Sequence, residues 1–254
     1  MNEMKLNVDE LIASTKDIIR NRISKRIPTK FIFNNIAKNF YIAGNSLNKD
    51  NPNDIDIFPV DNIKFNIESA FLINDEGEKE SIKIISETKN AITTHIYCNN
   101  QNYTIQFCNY FHKSLKDLVD SFDFSHVQVG AKMVDGQSIK EAEIYFTEAY
   151  MKSKLSQSTE FVGSEYPLSS LIRTFKYEKR GDFAGKSYMM SVFKIVKSII
   201  NRGFNGYADF KNQLDAVDLG LVPEELSDLD KSDLLELFEL LNKELSCNYI
   251  ENDI

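Results

Sequence analysis

Histidine, cysteine and tryptophan are what this chain has least of: three His, three Cys and no Trp in 254 residues. His95, His112 and His126 have no acidic or nucleophilic sequence neighbour that singles them out, so Ser-His-Asp catalysis and a zinc centre find no support. Cys98, Cys108 and Cys247 form no CxxC pair and leave at least one thiol over. That usage suits a reducing compartment, with each cysteine read as a small buried hydrophobe. No apolar run approaches the length of a membrane span, and the first ten residues, MNEMKLNVDE, carry neither a basic nor an apolar leader segment. The expectation is a cytoplasmic protein with no membrane partner. Internal repeats and low-complexity tracts are absent as well. What remains is an ordinary globular composition, 42% hydrophobic and 27% charged, long enough for one large domain or two modest ones.

The formal net charge of −8 argues against broad nonspecific binding of nucleic acid. Its distribution is uneven. Residues 166–206 hold eight Lys and Arg against two acids, whereas residues 207–254 hold thirteen acids against three Lys. A basic face for phosphates beside an acidic helical tail fits this asymmetry, and so do two solvated helical faces of opposite sign.

Along the chain, residues 8–24 place Leu11, Ile12, Thr15, Ile18, Ile19 and Ile23 at helical spacing. A shorter helix is expected after Pro28 and Thr29, then a strand at residues 40–43. Further strands are predicted at 82–85, 91–98 and 103–110, with a turn at 99–102 and an exposed acidic loop at 74–80. SLKDLVDS, residues 114–121, reads as a short helix capped by Ser114. Residues 122–134 read as a strand closing on Asp135-Gly136, and 145–155 as a helix. A Ser- and Gly-bearing linker at 156–164 marks the expected boundary between a head, residues 1–155, and a helical domain, residues 156–254. In the second part helices are expected from Pro167 to a stop at Gly181, over 187–200, 207–217 and 231–245, with a loop around Pro223. Leu168, Leu171, Ile172 and Phe175 should form one buried stripe, and Met190, Phe193, Ile195, Val196 and Ile199 another.

The stretch with chemical content is residues 40–59: an apolar strand, a glycine turn at Gly44, a short helical turn and a second strand with Asp54 and Asp56. Strand period two puts both aspartates on one face, with Ile55 and Ile57 on the other. Paired carboxylates repel unless a cation lies between them, and Mg²⁺ or Mn²⁺ takes one or two carboxylates together with phosphate oxygens and water. Gly44, Asn45 and Ser46 allow the backbone close to a phosphate. The same pattern also fits a turn rich in Asn and Asp between two ordinary strands.

Ile42-Ala43-Gly44-Asn45-Ser46-Leu47, followed by Asp54-Ile55-Asp56-Ile57, resembles the signature of the polymerase-β nucleotidyltransferase superfamily. Asn45 stands where that pattern usually has a second Gly or a Ser. The resemblance implies an α+β fold, a mixed sheet with flanking helices followed by a helical C-terminal domain. It also implies Mg²⁺-dependent transfer of a nucleoside monophosphate from a nucleoside triphosphate to an acceptor hydroxyl.

The family's third carboxylate lies on a strand after a hairpin, and the matching place here is Ile105-Gln106-Phe107. A neutral Gln106 leaves three readings: transfer with two carboxylates, an acid recruited from elsewhere such as Asp123, or a fold that no longer catalyses. Asp123, between Phe122 and Phe124 on the expected strand, also fits a surface acid on a sheet edge. Residues 166–181 resemble the segment after the catalytic head of CCA-adding and poly(A)-type polymerases, although Tyr166 replaces the acid that usually precedes the proline. That likeness implies nucleotide or acceptor contacts from Arg173, Lys176 and Arg180, which share one helical side at i, i+3 and i+7. A basic amphipathic helix with solvated charges has the same spacing. The acceptor implied is an RNA or tRNA end, and the alternative is a catalytically silent nucleotide- or RNA-binding regulator on the same fold.

Overall fold

A computed structural model describes residues 8–24, 39–48, 54–60, 65, 67, 71–73, 79–88, 90–98, 101–134, 141–215 and 231–247. The fold is α+β, a mixed sheet with flanking helices and a helical C-terminal portion. The chain divides into two compact units, residues 1–122 with 126–151, and residues 123–125 with 152–254. Among the described residues no helix is long and apolar enough to cross a membrane.

The first unit is built on strands β1 (Asn39–Ala43), β2 (Ile55–Pro59), β3 (Phe71–Ile73), β4 (Lys79–Glu87), β5 (Ala91–Cys98), β6 (Gln101–Cys108), β7 (Val129–Val134) and β8 (Glu143–Phe146). They form one eight-stranded sheet in the order β3-β4-β5-β6-β2-β1-β7-β8. Only the β2–β6 pair is parallel. Alternation along the central strands divides their side chains between two apolar layers. Phe40, Ile42, Ile55, Ile57, Ile105 and Phe107 enter one layer, which Ile19 and Ile23 of α1 (Val8–Ser24) join. Tyr41, Ala43, Phe58 and Cys108 enter the other, with Leu115, Leu118 and Val119 of α3 (Leu115–Asp120).

Helix α3 starts where its cap predicts: the Ser114 side chain accepts a hydrogen bond from the Asp117 N–H at 3.0 Å. It lies close to β7 because Gly130 has no side chain. A Cβ there would come within 2.7 Å of Leu115 Cδ1 and 2.8 Å of Val119 Cγ2. Gly130→Ala is expected to cost about 1–3 kcal/mol through overpacking, read as a lowered midpoint in urea. Adding Val119→Ala should return part of that loss. If Gly130→Ala leaves the midpoint unchanged, the helix does not need the close approach.

Several expectations are corrected in this unit. Residues 145 and 146 belong to β8, and α4 (Glu148–Ser156) begins only after Thr147, whose Oγ1 accepts from the Tyr150 N–H at 3.1 Å. The expected strand 122–134 is shorter. Phe124 makes an isolated bridge to Phe161, Ser125–Val127 is a turn of 3₁₀ helix, and β7 starts at Val129. Gln101 and Asn102, expected in a turn, pair within β6 against Cys98 and Tyr97. Lys79 and Glu80, expected in a loop, belong to β4, and β3 was not anticipated. The helix expected after Pro28, the 74–78 part of the acidic loop, the turns at 99–100 and 135–136 and the loop around Pro223 lie outside the described residues.

The second unit contains α5 (Pro167–Lys179), α6 (Ser187–Arg202), α7 (Gly206–Asp215) and α8 (Lys231–Cys247). Helix α5 opens with Pro at its first position and stops before Gly181 at φ +71°, as its punctuation predicts. Its buried face is nevertheless not the expected stripe. Ser169, Ser170, Ile172, Thr174 and Tyr177 are buried, whereas Phe175 is 52% exposed. Small hydroxyl side chains admit close packing when their polar atoms are satisfied. The Ser169 hydroxyl donates to the Gln213 carbonyl and Thr174 Oγ1 donates to the Ser170 carbonyl at 2.7 Å.

Helix α6 departs in part from its expected stripe, although Ile195 is buried as expected. Ser191 and Ile195 are buried, while Met190, Phe193 and Val196 face out. Within the 156–164 segment Thr159 and Phe161 are buried, and the Phe161 N–H donates to Ser191 Oγ at 3.0 Å. Phe124 packs edge-on to Phe161, Tyr177 and Phe183, its centroid 4.9 Å from that of Tyr177. Burial pushes the Tyr177 hydroxyl pKa well above the ordinary tyrosine value.

Candidate active site

The site begins at the carboxyl end of β1. The chain must turn sharply after Ala43, and Gly44 supplies a backbone φ of +82° that an L side chain rarely adopts. Asn45 opens α2 (Asn45–Asn48), so the left-handed position falls on the glycine and the asparagine is helical. The turn is closed by three hydrogen bonds. Gly44 N–H donates to the Val129 carbonyl at 2.9 Å, Leu47 N–H to the Gly44 carbonyl at 3.1 Å, and Ser46 Oγ to the Ala43 carbonyl at 3.1 Å. Ser46 is buried and its hydroxyl proton is spent inside the turn. From α1, Arg22 Nη1 donates to the Asn48 carbonyl at 2.9 Å, tying down the last turn of α2.

Register brings the acids to this turn. Asp56 lies opposite Ala43 on β1 and opposite Gln106 on β6. Paired positions share a sheet face, so Ala43, Asp56 and Gln106 make a row on the α3 side. Asp54 directly precedes β2, two residues from Asp56; both are half-buried. Ile55 and Ile57 point into the opposite apolar layer, as the alternation predicts. A Cβ built on Gly44 would stand 3.7 Å from Asp56 Oδ2 and 3.8 Å from Phe122 Cζ. The missing side chain therefore leaves space directly in front of a carboxylate oxygen. In the same turn, the buried Oδ1 of Asn45 has no hydrogen-bond partner among the described residues.

Two carboxylates two residues apart form a hard-oxygen donor pair, the kind Mg²⁺ or Mn²⁺ takes. The residues present fit such an ion. Among the described residues no three His, Cys, Asp or Glu gather as a ready-made cage, which agrees with a neutral Gln106 beside Asp56. Gln106 offers one carbonyl acceptor and two donors at that position.

The remaining sequence-predicted residues belong to the second unit. Asp123 is not on a sheet strand. It is buried and accepts hydrogen bonds from Ser170 Oγ at 2.8 Å and Arg173 Nη1 at 2.9 Å. The spacing that put Asp123 on an edge strand failed because the chain turns at Phe124 to bridge Phe161. Of the three cations expected to contact nucleotide or acceptor, Arg173 is engaged with this carboxylate, Lys176 is half-buried and Arg180, the C-cap of α5, is exposed. Residue spacing had given no sign of the Asp123 pairing. A forked pair lies at the start of α7, where Arg202 Nη1 and Nη2 reach the Asp209 carboxylate at 2.7 and 2.9 Å. The Arg202 hydrogen bonds hold the Asp209 carboxyl below its ordinary pKa.

No family model matches this sequence, and no curated protein matches it either. Among solved structures the chain is similar to a tRNA-processing enzyme in two apo forms. Apo form I is 16% identical with a TM-score of 0.41, over 98% of this chain and 60% of that one. Apo form 2 is 13% identical with a TM-score of 0.38, over 84% of this chain and 57% of that one. The chain thus spans less than two thirds of the length of either structure it resembles.

Proposed function

We propose that the protein is a metal-dependent nucleotidyltransferase that moves a nucleoside monophosphate from a nucleoside triphosphate to an acceptor hydroxyl, with an RNA or tRNA end as the acceptor. The observation that carries this reading is the space at Gly44 in front of Asp56 Oδ2, 3.7 Å from a side-chain carbon that glycine lacks. Asp54 and Asp56 hold the cation, and the Gly44, Asn45 and Ser46 turn receives the β and γ phosphates through its backbone. Bound Mg²⁺ or Mn²⁺ supplies neutralisation of phosphate charge. Gln106, in register with Asp56, orients the reacting groups by hydrogen bonding. The acceptor oxygen forms a bond to the α phosphorus, the bridging bond to the β phosphate breaks, pyrophosphate leaves and the hydroxyl proton passes to solvent. The chain's part is positioning and charge placement. Arg173, Lys176 and Arg180 are assigned to nucleotide or acceptor contacts on the likeness of residues 166–181 alone.

Gln106 in place of a third acid favours a second reading, a silent nucleotide or RNA binder on the same fold. Incubation with Mg²⁺, each α-labelled triphosphate in turn and total cellular RNA separates the two. The enzyme is expected to leave acid-precipitable label on RNA that EDTA abolishes. Retention of nucleotide without incorporation, under every triphosphate, supports the silent binder and overturns the transferase.

A further inference from the structure

Helix α6 has no acidic residue along its sixteen positions, in a chain with 38 Asp and Glu. Its outward side is unusual in a second way. Met189, Phe193, Val196 and Ile200 recur at i, i+4, i+7 and i+11 and are all exposed, Phe193 the most at 61%. Next around the helix come Lys197, Asn201 and Lys194. Together with Ser198 they form one wall of an open groove of about 520 Å³, whose other wall is residues 160–163.

The charges in the groove are not equivalent. Lys194 Nζ is paired with Glu160 Oε2 at 3.0 Å, and Ser198 Oγ donates to the Lys194 carbonyl. Lys197 has no ion-pair partner among the described residues and is exposed. Gly163, at φ +144°, has no atom within 4 Å of where its Cβ would be, so the facing wall is open backbone. The groove thus joins one unpaired cation and an amide to an exposed aromatic ring one helical turn away. That is the chemistry of a single nucleic-acid strand: phosphate on a lysine, base on a ring. An amphipathic protein helix would instead need an apolar trough, whereas this groove sets Glu160, Lys194, Lys197, Ser198 and Asn201 beside Phe161, Val162 and Gly163.

We infer that the groove between residues 160–163 and α6 binds single-stranded RNA, with Lys197 and Asn201 on a phosphate and Phe193 stacking on a base. The inference rests on an RNA acceptor, and it assigns where a strand is gripped, in a position separate from Asp54 and Asp56.

The test is fluorescence anisotropy of the full chain with a labelled oligouridylate of about 12 nucleotides, without triphosphate or divalent metal, across a salt series. Phe193→Ala is expected to weaken binding about 5- to 100-fold with the salt slope unchanged, the range for losing one base stack. Lys197→Glu should weaken binding and reduce the slope of log K against log salt by about 0.7, one single-strand phosphate. Lys113→Glu, the same charge change at an exposed position of the first unit, should leave binding as it was. The groove is overturned if Lys113→Glu acts as strongly as Lys197→Glu, or if a duplex of equal length binds as tightly as the single strand. It is equally overturned if the Lys197 and Phe193 variants bind like the parent, or if their loss is seen only on anionic vesicles. Because the assay needs no transfer, strand binding that survives in a protein without transferase activity sinks the proposed reaction and keeps the groove. Transfer to RNA that is unimpaired in both variants does the opposite.

Discussion

Asp56→Ala is expected to abolish Mg²⁺-dependent incorporation, a fall of about three orders of magnitude or more, while the melting temperature moves by no more than about 2 °C. The size follows from the task assigned to the side chain. Asp56 is the carboxylate whose oxygen faces the space left by Gly44, and it is in register with both the turn strand and Gln106. A carboxylate that holds a divalent ion contributes several kcal/mol through the charge it places beside the transferring phosphoryl group. Stability should hardly change because Ile55 and Ile57, not Asp56, anchor β2 in the core. Asp56→Asn tests charge against shape, since it keeps the side-chain size and one oxygen and removes the negative charge. It should be nearly as inactive as Asp56→Ala. Full activity in Asp56→Ala would overturn the site, and activity in Asp56→Asn alone would move the proposal from metal holding to hydrogen bonding.

The one-face placement of Asp54 and Asp56 was legible in the sequence because strand alternation and one glycine turn determine it locally. The row they make with Ala43 and Gln106 depends instead on β1–β2 and β2–β6 register, and Gln106 was placed only by the family likeness. Period two separates Asp54 and Asp56 from Ile55 and Ile57, and only Gly44 in that stretch accepts φ +82° without strain. The α1 helix and the Ser114 cap were equally local. What was missed depended on packing partners far along the chain. Residues 143–146, EIYF, merge by composition with the helix that follows. The divider is Thr147, whose capping oxygen could have been read from its place just before Glu148. In α5 and α6 the hydropathy pattern placed Ile172 and Ile195 correctly but missed the rest of the buried face, because it equates burial with apolarity. Ser169, Ser170, Thr174 and Ser191 are buried with their hydroxyls bonded to Gln213, Asp123, the Ser170 carbonyl and the Phe161 amide. Apart from the Thr174–Ser170 bond, which lies within α5 at i, i−4, none of those partners is visible in the spacing of one helix. Asp123 was misplaced for the same reason: its neighbours in sequence suggest a strand, and its partners lie 47 and 50 positions away.

Arg173→Ala is expected to destabilise the second unit by about 2–3 kcal/mol, somewhat less than for a fully buried pair because the arginine is partly exposed. The Asp123 side chain is 7% exposed and that of Arg173 is 32%, so removing the guanidinium leaves a carboxylate that water barely reaches, with the Ser170 hydroxyl as its other contact. Desolvation of an uncompensated charge, more than the lost attraction, sets the cost. The sign of the double variant follows from this. Asp123→Asn with Arg173→Ala removes the stranded charge, so it should be more stable than Arg173→Ala alone, by about 1 kcal/mol or more in a double-mutant cycle of urea midpoints. Asp123→Asn alone keeps an acceptor for Ser170 and should cost less than Arg173→Ala. The same cycle separates the two jobs given to Arg173. A residue that mainly grips nucleotide would leave the urea midpoint unchanged and raise KM, whereas one that mainly neutralises Asp123 lowers the midpoint in every assay, with or without nucleotide. An Arg173→Ala protein as stable as the parent would therefore end the structural assignment of this pair and return Arg173 to the nucleotide.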